Sequence, residues 1–478
     1  MFRARGIHYE LAERTRGMSF GGLGAMHALA SQVGLIDAID QRLHLLKVHL
    51  PYSESDHVLN IAYNLLAGGQ CLEDLEHLRN DEVYLDALGT QRIPDPTTAG
   101  DFCRRFAARD IEDLLQAIWV GRRNVWAQQP DAFFEKAVLD VDGTLVPTTG
   151  ECKPGMDIAY NGTWGFHPLI VSLANTQEPL VIENRSGSRP SHENASARID
   201  EAVRGCREAG FRRVRVRGDT DFTQTKHLDR WDAQGVEFVF GIDAMKNLKE
   251  LASSLDSRFW KRLRRPAKRV RKGEARARAP RVKEEVVRDR GFENIRLCSE
   301  DVVDVTYRPT ACQQDYRLVI VRKNLSIERA EHALFEDIRY LFYLTNDWEL
   351  SAAEIVFDAN ARCDQENLIA QLKGGVRALR APVSDLVSNG AYMVMASLAW
   401  TLKAWFALLL PERGRWGERY AAEKERVLRM EFRGFVNAFM RIPVQIVRQG
   451  RRLIYRVLGW NRWLDVFFRG WDQIAQRC

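Results

Sequence analysis

Residues 137–146, AVLDVDGTLV, constrain this chain more than any other stretch. An apolar run there carries two carboxylates, Asp140 and Asp142, one strand repeat apart and therefore on one face of a strand. Paired acids at the end of a buried strand are costly unless they hold a cation or share a proton. What surrounds this strand decides which chemistry the acids serve.

At 478 residues the chain is too long for one core and is expected to hold two to four domains. With 45% apolar and 28% charged residues it reads as an ordinary globular protein. Its eight cysteines are scattered without a CxxC pair or a Cys/His ligand spacing, which speaks against zinc and for a reducing cytosol. The first residues, MFRARGIHYELAERTRG, lack the apolar core of a signal peptide, so a cytoplasmic location is expected.

Periodicity divides the chain into five stretches. Residues 1–130 read as a helical N-terminal DNA-binding domain, with 3.6-type apolar spacing over 24–35 and 57–67 and a helix over 98–108 capped by Thr97 or Thr98. Arg104 and Arg105 fall on that last helix, a place where small helical modules meet DNA. From 131 to 245 the pattern predicts strands over 136–146, 166–173 and 179–184, then a helix from Ser191 to Gly210. A strand over 213–216, a helix over 224–233 and a strand over 236–242 follow. The order β-β-β-α-β-α-β is that of a ribonuclease-H-like α/β core. Residues 246–345 interrupt this core with a basic, β-rich insertion. Residues 346–410 resume it with a helix from Ser351 through Gly374, and residues 411–478 read as a basic helical C-terminal region. The run 391–410 is long enough for a membrane span, but Lys403 near its middle and Pro411 after it predict a buried helix and no membrane partner.

Ribonuclease-H-like nucleases take three acids from the first strand, the fourth strand and a late helix. Asp142 or Asp140 supplies the first here, Asp219 ends the strand over 213–216, and Glu366 stands on the late helix. At 100° per residue, Arg362 and Lys373 lie within about 40° of Glu366, so one stripe offers an acid for a metal ion and cations for phosphates. Hard oxygen ligands suit Mg²⁺. Two such ions about 3.5–4 Å apart would activate a water and then a DNA 3′-hydroxyl without a protein nucleophile. The DxDGT motif also suits a haloacid-dehalogenase-type phosphatase, with Asp140 as covalent nucleophile and Asp142 as its acid/base partner. That reading needs a later GDxxxD-type motif, and Thr223 and Gln224 stand where its second acid should fall. A third reading is an inactive or domesticated DNA binder.

Several stretches together resemble the bacterial insertion-sequence DDE transposases of the subgroup with DDE domain group 1. They are PDPTTAGDFCRRF (94–106), YNGTWGFHPLIVSLANTQEPL (160–180), RGDTDFTQTKHLDRW (217–231) and ENLIAQLKGGVRALRAP (366–382). Arg362, Glu366 and Lys373 reproduce the R(3)E(6)K part of that superfamily's Y(2)R(3)E(6)K signature, while Ala359 stands where its Tyr would fall. The resemblance runs from about residue 20 to beyond 410. It implies a transposase that cuts at the terminal inverted repeats of its own element and joins the 3′-hydroxyl ends to target DNA. It implies Asp142, Asp219 and Glu366 as catalytic metal ligands, with Asp142 preferred over Asp140 because Thr144 follows it. It also implies two Mg²⁺ ions, with Mn²⁺ as a substitute, a dimer in the synaptic complex, and action at the bacterial nucleoid.

Charge distribution agrees with a DNA partner. The net charge of +6 is uneven: residues 258–290 hold 15 Lys/Arg against 4 Asp/Glu, and residues 433–478 hold 9 Arg against 2 Asp, interleaved with Trp460, Trp463 and Trp471. Such blocks suit phosphate backbones, and aromatics among them suit stacking on unpaired bases. Trp260, beside Lys261 and Arg262, is the candidate stacking residue of the insertion.

Overall fold

The computed structural model describes residues 8–10, 15–49, 51–265, 282–329 and 332–476. Residues 266–281, the middle of the first basic block, lie outside the described residues. The described strands are β1 (Gly17–Met18), β2 (Lys136–Gly143), β3 (Val146–Pro147), β4 (Asp157–Ile158), β5 (Trp164–Phe166), β6 (Leu169–Leu173), β7 (Glu178–Glu183) and β8 (Arg213–Gly218). They continue with β9 (Val236–Ile242), β10 (Lys261–Arg262), β11 (Glu293–Tyr307), β12 (Tyr316–Arg329), β13 (His332–Thr345), β14 (Val444–Gln449) and β15 (Arg452–Val457).

Nine of them form one sheet in the order β10-β11-β12-β13-β9-β8-β2-β6-β7. Strands β7, β6 and β2 pair antiparallel, and β2, β8 and β9 pair parallel, which is the ribonuclease-H-like arrangement expected. Among the described residues the insertion builds no separate sheet. Its last strand pairs antiparallel with β9, Phe342–Thr345 against Val239–Ile242, so its long strands extend the ribonuclease-H-like sheet.

Strand alternation sorts the two faces. Ala137, Leu139 and Val141 of β2, Val214 and Val216 of β8, and Phe238 and Phe240 of β9 are buried toward the helices Ala195–Glu208 and Leu228–Ala233. The opposite face carries Asp140, Asp142, Arg215, Arg217 and Glu237, and the helices Ala352–Ala361 and Cys363–Ala370 cover it. Arg215 is buried there among Glu237, Asp347 and Asp358, and Arg217 joins Asp140 to Asp358. Charges on a covered face are tolerable because each has a hydrogen-bonded partner.

The helical N-terminal region is welded to this core. Helix Leu386–Leu408 is buried along its length, as expected for the run over 391–410, and packs against helices Glu54–Leu66 and Ala108–Trp126 and against β7. Fully buried Glu178 of β7 accepts from Arg122 Nε (3.1 Å), Trp126 Nε1 (3.0 Å) and Trp405 Nε1 (2.8 Å), fastening two helices to the sheet edge. One cluster of buried apolar side chains runs from Met18 to Ile474.

Several local expectations need correction. The region after Pro411 is not helical throughout. Residues 444–457 form the hairpin β14–β15, with Gly450 at φ 60° in a two-residue turn, and β14 also pairs with β1. The strand expected over 166–173 breaks at His167–Pro168, where proline has no N–H for a ladder. The helix expected from Ser191 begins at Ala195, because Arg185 Nη1 donates to the carbonyls of Pro190, Ser191 and Glu193 and holds that segment as a turn. The helix expected over 98–108 spans Pro96–Cys103, capped by Asp95 through the Thr98 N–H (2.9 Å), so Arg104 and Arg105 lie just past it. The helix expected over 351–374 is two helices jointed at Arg362, followed by a π turn over Gln371–Gly375.

Candidate active site

Strands β2 and β8 pair parallel with Asp140 opposite Arg217. The same register carried two residues further sets Asp142 abreast of Asp219, which directly follows β8. Asp219 Oδ1 accepts from the Asp221 N–H (3.0 Å), capping a short 3₁₀ turn and fixing the carboxylate at the strand end. The Arg362 guanidinium lies between the two acids, with Nη1 3.1 Å from Asp142 Oδ2 and Nη2 3.8 Å from Asp219 Oδ2. Arg362 sits at the joint of the two covering helices, which points its side chain down onto the sheet end.

Burial pushes the Asp142 carboxyl up to about 6, against the pull of Arg362, and the nearby Asp219 carboxylate adds to the rise. Burial also raises Asp219, again opposed by Arg362. Half-buried Lys373 is lowered by burial and drawn back by Asp142, so a second cation lies within electrostatic reach of that acid.

Asp140 belongs to a different unit. Its oxygens accept a two-pronged contact from Arg217, Nε at 2.7 Å and Nη2 at 2.8 Å, and its side chain is 1% exposed. Burial pushes it up to about 6 while the Arg217 fork opposes. A carboxylate closed in this way is no nucleophile, and the segment after DGT returns as β3, β5 and β6 without opening a helix. Both observations go against the phosphatase reading.

Glu366 is exposed on helix Cys363–Ala370. The residue that turns to the sheet is its neighbour Gln365, buried, whose Nε2 donates to the carbonyls of Asp140 (2.9 Å) and Ile170 (3.1 Å). The joint at Arg362 and the π turn after Ala370 break the even 100° count on which one shared stripe rests. Among the described residues no three of His, Cys, Asp and Glu stand close enough to hold a metal ion. Asp142 and Asp219 still offer what a hard divalent cation takes: two partly desolvated carboxylates side by side, with all-oxygen donors.

The other expected residues lie elsewhere. Trp260 is half-buried, with the Arg322 guanidinium over its ring at 4.4 Å and Tyr340 at 6.2 Å. Arg104 contacts Asp101 and Ser384, and Arg105 donates to the Leu45 carbonyl (3.4 Å). One residue of the site gave no sequence signal. His167 is buried, and its Nδ1 donates to the Arg189 carbonyl (2.9 Å). A Cβ at Gly143 would stand 2.7 Å from its Nε2, so glycine in DGT makes room for this ring beside Asp142.

A ribonuclease-H-like sheet with two acids at adjacent parallel strand ends, a shared arginine and a late helix over them defines the class of polynucleotide-processing enzymes. Within it the chain belongs to the family of the transposase DDE domain group 1, whose model matches residues 15–464. It is also similar to the piggyBac transposase in the cryo-EM structure of its synaptic complex with hairpin DNA. That similarity has 10% identity, covers 89% of this chain and 82% of that one, and has a TM-score of 0.39. No curated protein matches the chain.

Proposed function

We propose that this transposase cuts DNA at the terminal inverted repeats of its own element and joins the freed 3′-hydroxyl ends to target DNA, with Asp142, Asp219 and Glu366 as the catalytic acids. The observation that carries the reading is Asp142 abreast of Asp219 under one shared guanidinium. Asp142 and Asp219 would hold the divalent ions, and Glu366, exposed in this structure, would be the third ligand. Bound Mg²⁺, or Mn²⁺ in its place, supplies the activation of water and then of the 3′-hydroxyl and stabilises the leaving oxygen. Arg362 lies against both acids and, with Lys373, would hold the phosphates flanking the cut. Asp140 and Arg217 keep β2 and β8 in register so that the two acids stay abreast. Cutting two ends in one complex requires at least a dimer on DNA, and the chain acts at the bacterial nucleoid.

The test uses a duplex carrying the element's terminal repeat, with Mg²⁺. Asp142→Ala, Asp219→Ala and Glu366→Ala should each reduce cleavage to background and leave repeat binding intact. Cleavage at the wild-type rate by Asp142→Ala or Asp219→Ala would overturn the assignment. A second reading, repeat binding without cleavage, is favoured by exposed Glu366 and by Ala359 at the signature Tyr position. Wild-type protein that binds the repeat but never nicks it with Mg²⁺ or Mn²⁺ would establish that reading.

A further inference from the structure

Three chain segments meet beside the late helix, and each closes with a bond from an N–H to the carbonyl five residues back. The Gly69 N–H donates to the Asn64 carbonyl after helix Glu54–Leu66, Val376 N–H to Gln371, and Arg441 N–H to Val436, each at 2.8 Å and each five residues back. The last two are π turns, over Gln371–Gly375 and Val436–Met440, a geometry that widens the backbone and recurs at functional sites. Gln371 Oε1 accepts from the Phe432 N–H (3.0 Å) and ties one π-turn segment to the other.

Between them lies a cavity of 310 Å³, lined by Arg377, Arg433 and Arg441 with the backbones of Gly68, Gly374 and Gly375, and by no Asp or Glu. None of the three arginines has an ion pair among the described residues, whereas Arg215 of the same chain is paired with three acids. Arg377 holds φ 60°, a left-handed conformation that a residue with a Cβ enters at a cost. Gly68 makes space: a Cβ there would stand 3.1 Å from Arg441 Nη2.

We infer that this cavity is a second anion site, which grips a backbone phosphate of the DNA away from the bond being cut. The inference rests on the transposase reading above. Three arginines lining one cavity with glycine backbone suit the charge of a phosphate. Arg433 and Arg441 are exposed, so the ligand arrives from outside. Phe432, the aromatic residue in the lining, is buried and offers no ring for the base of a free nucleotide. Lys373 lies within electrostatic reach of Asp142, and the next residue, Gly374, lines the cavity. One strand of DNA can therefore run from the acids to the arginines along the segment 373–377.

The experiment measures binding of the terminal-repeat duplex across a salt series for wild type, Arg433→Gln/Arg441→Gln and Arg377→Gly. The double variant alters only exposed side chains, and Arg377→Gly removes the cation while relieving the left-handed residue, so both should unfold at the wild-type temperature. The slope of log affinity against log salt should fall by about 0.9 for each phosphate that is no longer neutralised, with affinity about tenfold weaker at fixed salt. Folded variants that keep the wild-type slope and affinity would overturn the inference. If inorganic phosphate stabilises wild type alone while duplex binding is equal in all three, the cavity holds a free anion and the DNA assignment fails. Wild type that does not bind the duplex would instead overturn the transposase reading itself.

Discussion

Two acids of one strand, Asp140 and Asp142, share a face and serve different ends. Asp140 closes a buried pair, and removing one partner of such a pair leaves an uncompensated charge that costs about 3–5 kcal/mol. Asp140→Ala should therefore lower stability by about that amount in denaturant unfolding, whereas Asp142→Asn, which removes a carboxylate that burial disfavours, should not lower it at neutral pH. A larger loss for Asp142→Asn would reverse the two roles. Asp142 also sets a pH dependence. Burial lifts its folded pKa to about 6 from 3.8, so the folded protein takes up a proton as pH falls through 6 while the unfolded chain is still ionised. The burial of this charge costs stability above about pH 6, and the cost is relieved as pH drops toward 4. Mg²⁺ requires the ionised form. The thermal stabilisation by Mg²⁺ should thus be full near neutral pH, fade as pH falls through about 6, and be absent in Asp142→Asn. Equal stabilisation of that variant would remove Asp142 from the metal site.

Among the elements, the late helix departs furthest from its sequence pattern. The residues around Glu366 read as one regular helix, but the joint at Arg362 and the π turn at Gln371–Gly375 rotate Gln365 onto the sheet and leave Glu366 outside. Helix Leu386–Leu408 followed its pattern, and Lys403 within it is testable. Its Nζ is buried, donates to the Leu428 carbonyl (2.7 Å) and lies 3.8 Å over the Trp400 ring. Burial lowers its pKa to about 7 from 10.5, helped by Arg429. A lysine that binds its proton less tightly when folded costs stability below pH 7, and the cost is recovered as pH rises from 7 toward 10.5. Wild-type stability should climb relative to Lys403→Met across that window in pH-dependent unfolding. A flat difference would show that Lys403 stays charged in the core.

At the scale of the molecule, one apolar cluster and the Glu178 hub join regions that read as separate modules in the sequence. The β1–β14–β15 sheet brings Gly17–Met18 against Val444–Gln445, so the C-terminal region completes packing begun near the N-terminus. A chain truncated after Pro411 should lose cooperative unfolding, because Phe435, Phe439 and Phe467, which pack around Phe406, would be gone. Coincident far-ultraviolet and tryptophan transitions in the full chain, and their loss in the truncated one, would check this. A well-folded truncated protein would show that the C-terminal region is detachable.

The element order of the ribonuclease-H-like core, the central strand with its acids, Asp219 at the end of the fourth strand and the buried helix over 391–410 were all legible in the sequence. Each depends on local alternation, a strand end or an unbroken apolar run, and these are properties of neighbouring residues. The hairpin over 444–457 reads as helix, although VQIVRQGRRLIYRV alternates about Gly450, because its arginines obscure the apolar period. Tertiary structure alone decided the rest. It chose Arg217 for Asp140 and Arg362 for Asp142, set His167 against Gly143, gathered three arginines around one cavity, and made the insertion's strands part of the ribonuclease-H-like sheet. Those outcomes depend on which charged groups are desolvated together and which backbone lies close enough to exclude a Cβ. Neither is carried by spacing along the chain, because the partners are brought together only by packing.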